Sequence, residues 1–137
     1  MAKKLDITQF NAVKESELGF DLAMKGADGA ELGFTFHILG RHSDAVQTWA
    51  KREFQKAQRE EMAAKRKGRD ADPLDVDELK AKNIESAVVR VTGWNGVDNE
   101  FSKDLLTQVL RNNPHWTDQI IEASNDDANF TKANSQS

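Results

Sequence analysis

The sequence predicts an α+β fold, mainly α: an N-terminal β-hairpin followed by about four helices, the first of them long and partly protruding. Three observations predict it. Two runs rich in aromatic and apolar residues flank a glycine-containing break over residues 18–39, an amphipathic pattern at three- and four-residue spacing starts after Ser43, and capped apolar segments fill 77–124. At 137 residues the chain suits one domain, expected over 1–130, because a second full core would lack the material to form.

In the hairpin, Gly19 to Met24 alternates partly, and Leu32 to Leu39 is rich in aromatic and β-branched residues. Between them lies Lys25-Gly26-Ala27-Asp28-Gly29, whose glycines can take the positive φ of a tight loop. Two strands alone are marginal in water, so the hairpin must pack on a helix or pair with a strand of another chain.

Residues 43–67 read as one long helix, with Ser43 as its cap and Asp44 in the first turn. Val46, Trp49, Ala50, Phe54 and Ala57 form a stripe that thins beyond Ala57 to Met62, Ala63 and Ala64 among Lys and Arg. The outer half is expected to stand away from the core, supported by Lys56 with Glu60 and Glu61 with Lys65. A linker over 68–77 follows, since Gly68 suits a helix end and Pro73 disfavours helix before it.

The next helix is announced by Asp75 as cap and Glu78 three residues on, with Leu79, Ile84, Ala87, Val88 and Val91 as its buried face. Another begins at Ser102, where Phe101 is placed to staple against Leu106, and Leu105, Val109 and Leu110 continue its apolar side. Asn113-Pro114 opens the last, with Trp116, Ile120 and Ile121 facing inward. Residues 131–137 have nothing to bury and are expected to form a flexible tail.

Charge is unevenly spread. The net charge is −4, yet residues 41–70 carry +4, leaving −8 on the remainder: a basic arm on an acidic body. With no cysteine, disulfides, thiolate metal sites and cysteine nucleophiles are excluded. Nothing approaches the roughly 20 apolar residues of a membrane span or the pattern of a secretion signal, so a cytoplasmic protein is expected.

Candidate chemistry is sparse. The acids Asp70, Asp72, Asp75, Asp77 and Glu78 do not follow a calcium-loop spacing, and two of them serve as caps. His37, His42 and His115 lack the i, i+4 spacing of metal ligands on a helix. No phosphate loop or nucleophile elbow is present, so the protein is expected to be no enzyme and to need no cofactor or metal. The basic helix invites a nucleic-acid reading, but its interleaved acids and a pI near 5.4 favour a solvated or protein-binding arm.

The stretch from Leu79 to Phe130 resembles tail assembly chaperones of long-tailed bacteriophages and prophages. The resemblance rests on an ordered series: a helix ending Ala87-Val88-Val89-Arg90-Val91-Thr92, the turn Gly93-Trp94-Asn95-Gly96-Val97, and the Phe101-Ser102 cap. Leu105-Leu106, Val109-Leu110, Asn113-Pro114 and Trp116 to Ile121 continue it as far as Asn129-Phe130. Gly93, Trp94, Gly96, Phe101 and Ser102 are its markers of fold: Gly93 is read as ending the helix, Trp94 as covering that end and Gly96 as permitting the turn.

The resemblance implies a factor that binds the tape measure protein, keeps its long helices soluble and helps recruit tail tube subunits in the host bacterial cytoplasm. It also implies a homo-oligomer and, in some members, a longer frameshifted form. Phe34 and Phe36 on exposed hairpin edges and the Val46, Trp49 and Phe54 face are the expected partner-binding or self-association residues. Two other classes fit the same size and acidity: a minor structural or connector protein of the virion, and a nucleic-acid-binding regulator.

Overall fold

Alternation of apolar and polar residues builds a sheet with one face for the core. The computed structural model describes residues 4–70 and 75–131. Its elements are α1 (Ala12–Leu18), β1 (Phe20–Lys25), β2 (Glu31–Ile38), α2 (Asp44–Arg66), α3 (Val76–Arg90), β3 (Val91–Asn95), α4 (Lys103–Asn112) and α5 (Pro114–Asn125). Short 3-10 turns stand at Ile7–Gln9 and Asp127–Phe130. The hairpin followed by four helices is present as expected; α1 and β3 are additions to it.

The sheet is antiparallel with order β1-β2-β3, so β2 is central. Phe36 lies opposite Leu22 on one side and Trp94 on the other, while His37 lies opposite Asp21 and Gly93. Period-two alternation therefore sends Leu22, Phe36 and Trp94 to one face and Asp21 and His37 to the other. The first face meets α3, α4 and α5 around a core of Met24, Phe36, Ile38, Ala87, Val91, Leu106, Leu110, Ile120 and Phe130. Aromatic rings run through it edge to face: Phe34 on Trp116 at 5.4 Å between ring centres, and Trp94 on Phe101 at 5.0 Å.

Helix ends follow the local signals. Ser43, Asp75 and Ser102 each accept a bond from the amide three residues on, in Val46, Glu78 and Leu105. At the end of α2, Gly68 takes φ +73°, and Gly68 N donates to Lys65 O while Arg69 N donates to Ala64 O, a Schellman ending. Pro114 opens α5 without needing an amide donor. Of the two pairs expected along α2, Glu61 and Lys65 meet at 3.3 Å. Ala71 to Leu74 of the expected linker, with Pro73, and residues 132–137 of the expected tail lie outside the described residues.

Three expectations are corrected. Gly93 does not end a helix: α3 stops at Arg90, and the β-branched pair Val91-Thr92 turns straight into β3, where Gly93 pairs with His37. Val91 is fully buried, as expected, but from a strand and not from the helix. The hairpin does not present two open edges, because β3 occupies the free side of β2. Gly96 does permit the turn, at φ +83°, and a Cβ there would lie 3.0 Å from Gly33 O.

Candidate functional site

Where β2 meets the helices, a buried polar knot fixes the frame on which any binding surface is built. Arg90, 7% exposed, donates from Nε to Ser124 Oγ at 3.0 Å and from Nη1 to Ser86 O at 2.7 Å. Ser124 Oγ in turn donates to Leu39 O at 2.8 Å. Among the described residues no carboxylate pairs with the guanidinium; burial pushes its pKa down, and it is met by the Ser124 hydroxyl of α5 and by Ser86 in the last turn of α3, where a helix favours positive charge. Lys103 on α4 similarly donates to Val88 O and Val91 O at 2.7 and 2.9 Å, satisfying carbonyls at the end of α3. Its pKa is also lowered by burial.

The five residues expected to bind partners do not form one surface. Phe36 is 1% exposed and belongs to the core, and Val46 is buried where α2 begins. Both are corrected: a strand between two others hides its inward residues, and the first turns of α2 lie against the body. Phe34 is half-buried between the rings of Phe36 and Trp116. Trp49 is half-buried too, and its indole donates to Glu85 Oε1 on α3 at 2.8 Å. Phe54 alone of the five is open, at 64% exposure. Beside it Glu53 accepts from Lys82 Nζ at 3.0 Å, a bond that raises the lysine's pKa against the lowering effect of its partial burial.

Two apolar surfaces escaped the reading of the sequence. One is a groove of about 440 Å³ between α3, α4 and α5, with Ala81, Ile84, Leu110 and Pro114 on its walls and Asp77, Lys80, Arg111 and Asp118 at its charged rim. A second hollow of about 300 Å³ shares Ala81, Ile84 and Arg111 and continues the groove toward Val88 and Thr107. From Asp77 to Val88 the line follows one side of α3 for about 16 Å at 1.5 Å per residue. Thr117 Oγ1, at the groove, and Trp116 Nε1 are buried without a hydrogen-bond partner among the described residues.

The other surface is the N-terminal segment, where Leu5, Ile7, Phe10 and Val13 are all more than half exposed and Ile7 reaches 81%. Its signal was visible as apolar residues that no periodic stripe absorbs. The groove had no such signal, because it exists only between three helices.

Among the described residues no three His, Cys, Asp or Glu side chains gather as a metal site. The histidines are engaged singly: His37 Nδ1 lies 2.7 Å from Asp21 Oδ1 and its Nε2 3.0 Å from Leu18 O, while His42 and Arg41 both face Asp127. Arg41 makes two hydrogen bonds to Asp127, and this holds that carboxyl well below its ordinary range, at about 2. No described helix is long and apolar enough to cross a membrane. The groove is thus an apolar channel with a charged rim, framed by three helices. Compared with known protein families, curated proteins and solved structures, the chain matches none.

Proposed function

We propose that this protein is a non-enzymatic tail assembly chaperone of a long-tailed bacteriophage or prophage, working in the host bacterial cytoplasm. It binds the tape measure protein as that long helical chain emerges and helps bring tail tube subunits to it. The observation that carries the reading is the groove along α3: apolar walls at Ala81, Ile84 and Pro114 suit the apolar face of a client helix, and the mixed charges of the rim suit its polar flanks. The series from Leu79 to Phe130 supports the same reading, since it supplies α3, α4 and α5 together. No cofactor enters it.

The test is co-expression with a tagged helical segment of the tape measure protein encoded beside it. Capture of the wild-type chain is expected, with loss of capture in Ile84→Glu when circular dichroism shows the variant folded. Failure of the wild-type chain to be captured, or undiminished capture of the folded variant, overturns the proposal.

A further inference from the structure

Acids and cations alternate along α2 in the sequence, yet in the fold each acid between residues 52 and 66 has a cation to act on. Glu53 accepts from Lys82 of α3 at 3.0 Å, and the charge of Glu60 also acts on Lys82. Glu61 pairs with Lys65 at 3.3 Å. The other cations of the stretch are Arg52, Lys56, Arg59 and Arg66. All four are exposed, and none forms an ion pair with a described residue.

These four share one flank of the helix. At 3.6 residues per turn they fall within an arc of about 80°, on a line about 21 Å long at 1.5 Å per residue. The other residues of α2 in that arc are Ala45, Thr48 and Ala63, which are exposed as well. The strip therefore holds cations and small neutral residues, with no acid, no aromatic ring and no large apolar side chain. Val46, Trp49 and Glu53, which hold α2 to the body, lie outside the arc, so the strip stays open while its helix is fixed.

A partner for such a strip must draw its affinity from charge. Protein partners draw theirs from buried aromatic and aliphatic anchors, and a membrane surface from an apolar helix face beside the cations; the strip offers neither. A phosphate backbone needs no anchor, because each cation that neutralises a phosphate releases a condensed counterion. Single strands are held by bases stacked on aromatic rings, which the strip lacks. A rigid duplex presents about 12 phosphates over about 21 Å, at one charge per about 1.7 Å. Three of the four cations are arginines, whose planar forks match phosphate oxygens. We propose that the strip of Arg52, Lys56, Arg59 and Arg66 binds the phosphate backbone of duplex DNA without regard to sequence. The acidic remainder of the chain lowers the affinity without abolishing it, since exposed charges more than about 10 Å away are largely screened at about 0.1 M salt. This function is separate from client binding in the groove, and its test contains no client.

Fluorescence anisotropy of the full chain with labelled DNA duplexes of two unrelated sequences, over about 0.05 to about 0.3 M salt, tests it. Both duplexes should bind alike, with log K falling against log salt at a slope of about −3.6, or about −0.9 for each of four phosphates. Arg52→Gln with Arg59→Gln should bring the slope to about −1.8 and weaken binding about 60-fold at about 0.1 M salt, by the same relation. Lys56→Gln with Arg66→Gln should do the same, so the strip is tested twice. Lys14→Gln with Lys25→Gln removes the same charge from exposed sites off the strip and should leave the slope unchanged. Circular dichroism establishes that the variants are folded. A wild-type chain that binds no duplex at about 0.05 M salt overturns the proposal, as does one that binds only one of the two sequences. So does tighter binding to single-stranded DNA, duplex RNA, an acidic peptide or anionic vesicles, an unchanged slope in the folded strip variants, or an equal loss in the off-strip pair.

Discussion

Arg90 Nε lies 3.0 Å from Ser124 Oγ, joining the last residue of α3 to α5 inside the core, and the same hydroxyl donates onward to Leu39 O. One serine therefore satisfies a buried cation and a buried carbonyl together. Ser124→Ala leaves both without that partner, and a loss of about 2–3 kcal/mol is expected. Urea unfolding should show a lower midpoint with an unchanged slope.

Asp127 is held at about 2, below its ordinary 3.8, first by its hydrogen bonds with Arg41. A carboxylate with a depressed folded-state pKa adds stability above its unfolded value, and that contribution disappears as pH falls through about 2. The wild-type chain should therefore lose stability between about pH 4 and pH 2 in a component that Asp127→Asn lacks, with the two curves converging near pH 2. Unfolding midpoints measured at half-unit pH steps would reveal it.

Thr117 Oγ1 is buried with no partner among the described residues. Replacing the hydroxyl with a methyl of similar shape removes an unsatisfied group, so Thr117→Val should raise stability by about 1 kcal/mol. Thermal unfolding that shows a loss instead would mean the hydroxyl has a partner in solution.

Gly96 combines a φ of +83° with a close approach to Gly33 O. Gly96→Ala should cost about 2 kcal/mol, since an L side chain is strained there and its Cβ presses on the β2 backbone. Gly93, where an added Cβ would meet nothing within 4 Å among the described residues beyond its chain neighbours and where φ is not positive, should accept alanine at far smaller cost. Parallel denaturation of the two variants separates the roles of glycines that look alike in the sequence.

The anchoring of α2 rests on Trp49 with Glu85 and Lys82 with Glu53. Trp49→Phe combined with Lys82→Met should speed amide exchange over the middle of α2 about tenfold or more, while α4 and α5 keep their protection. Hydrogen-exchange mass spectrometry resolves the two regions.

Much of the fold was legible because its signals are local. Ser43, Asp75, Ser102 and Pro114 act within a turn of where they stand, and the strands of the hairpin announce themselves by their own residues. Helix α1 was missed although Asn11 caps it and Gly19 ends it, because it buries only Ser16 and so has no apolar stripe to read. Strand β3 was missed because Val91-Thr92-Gly93 reads equally as the end of α3. Its identity depends on pairing with β2, far away in the chain.

By itself the sequence determined the mainly helical α+β class, the hairpin, the four following helices with their caps, and the basic character of α2. Tertiary structure alone decided that Phe36 and Val46 are core residues, that Ser124 reaches Leu39 across 85 positions, and that Glu53 of α2 is tied to Lys82 of α3. The physical reason is range. Capping and periodicity are set by atoms within a few residues, whereas burial and the pairing of charges depend on which surfaces the folded chain brings together.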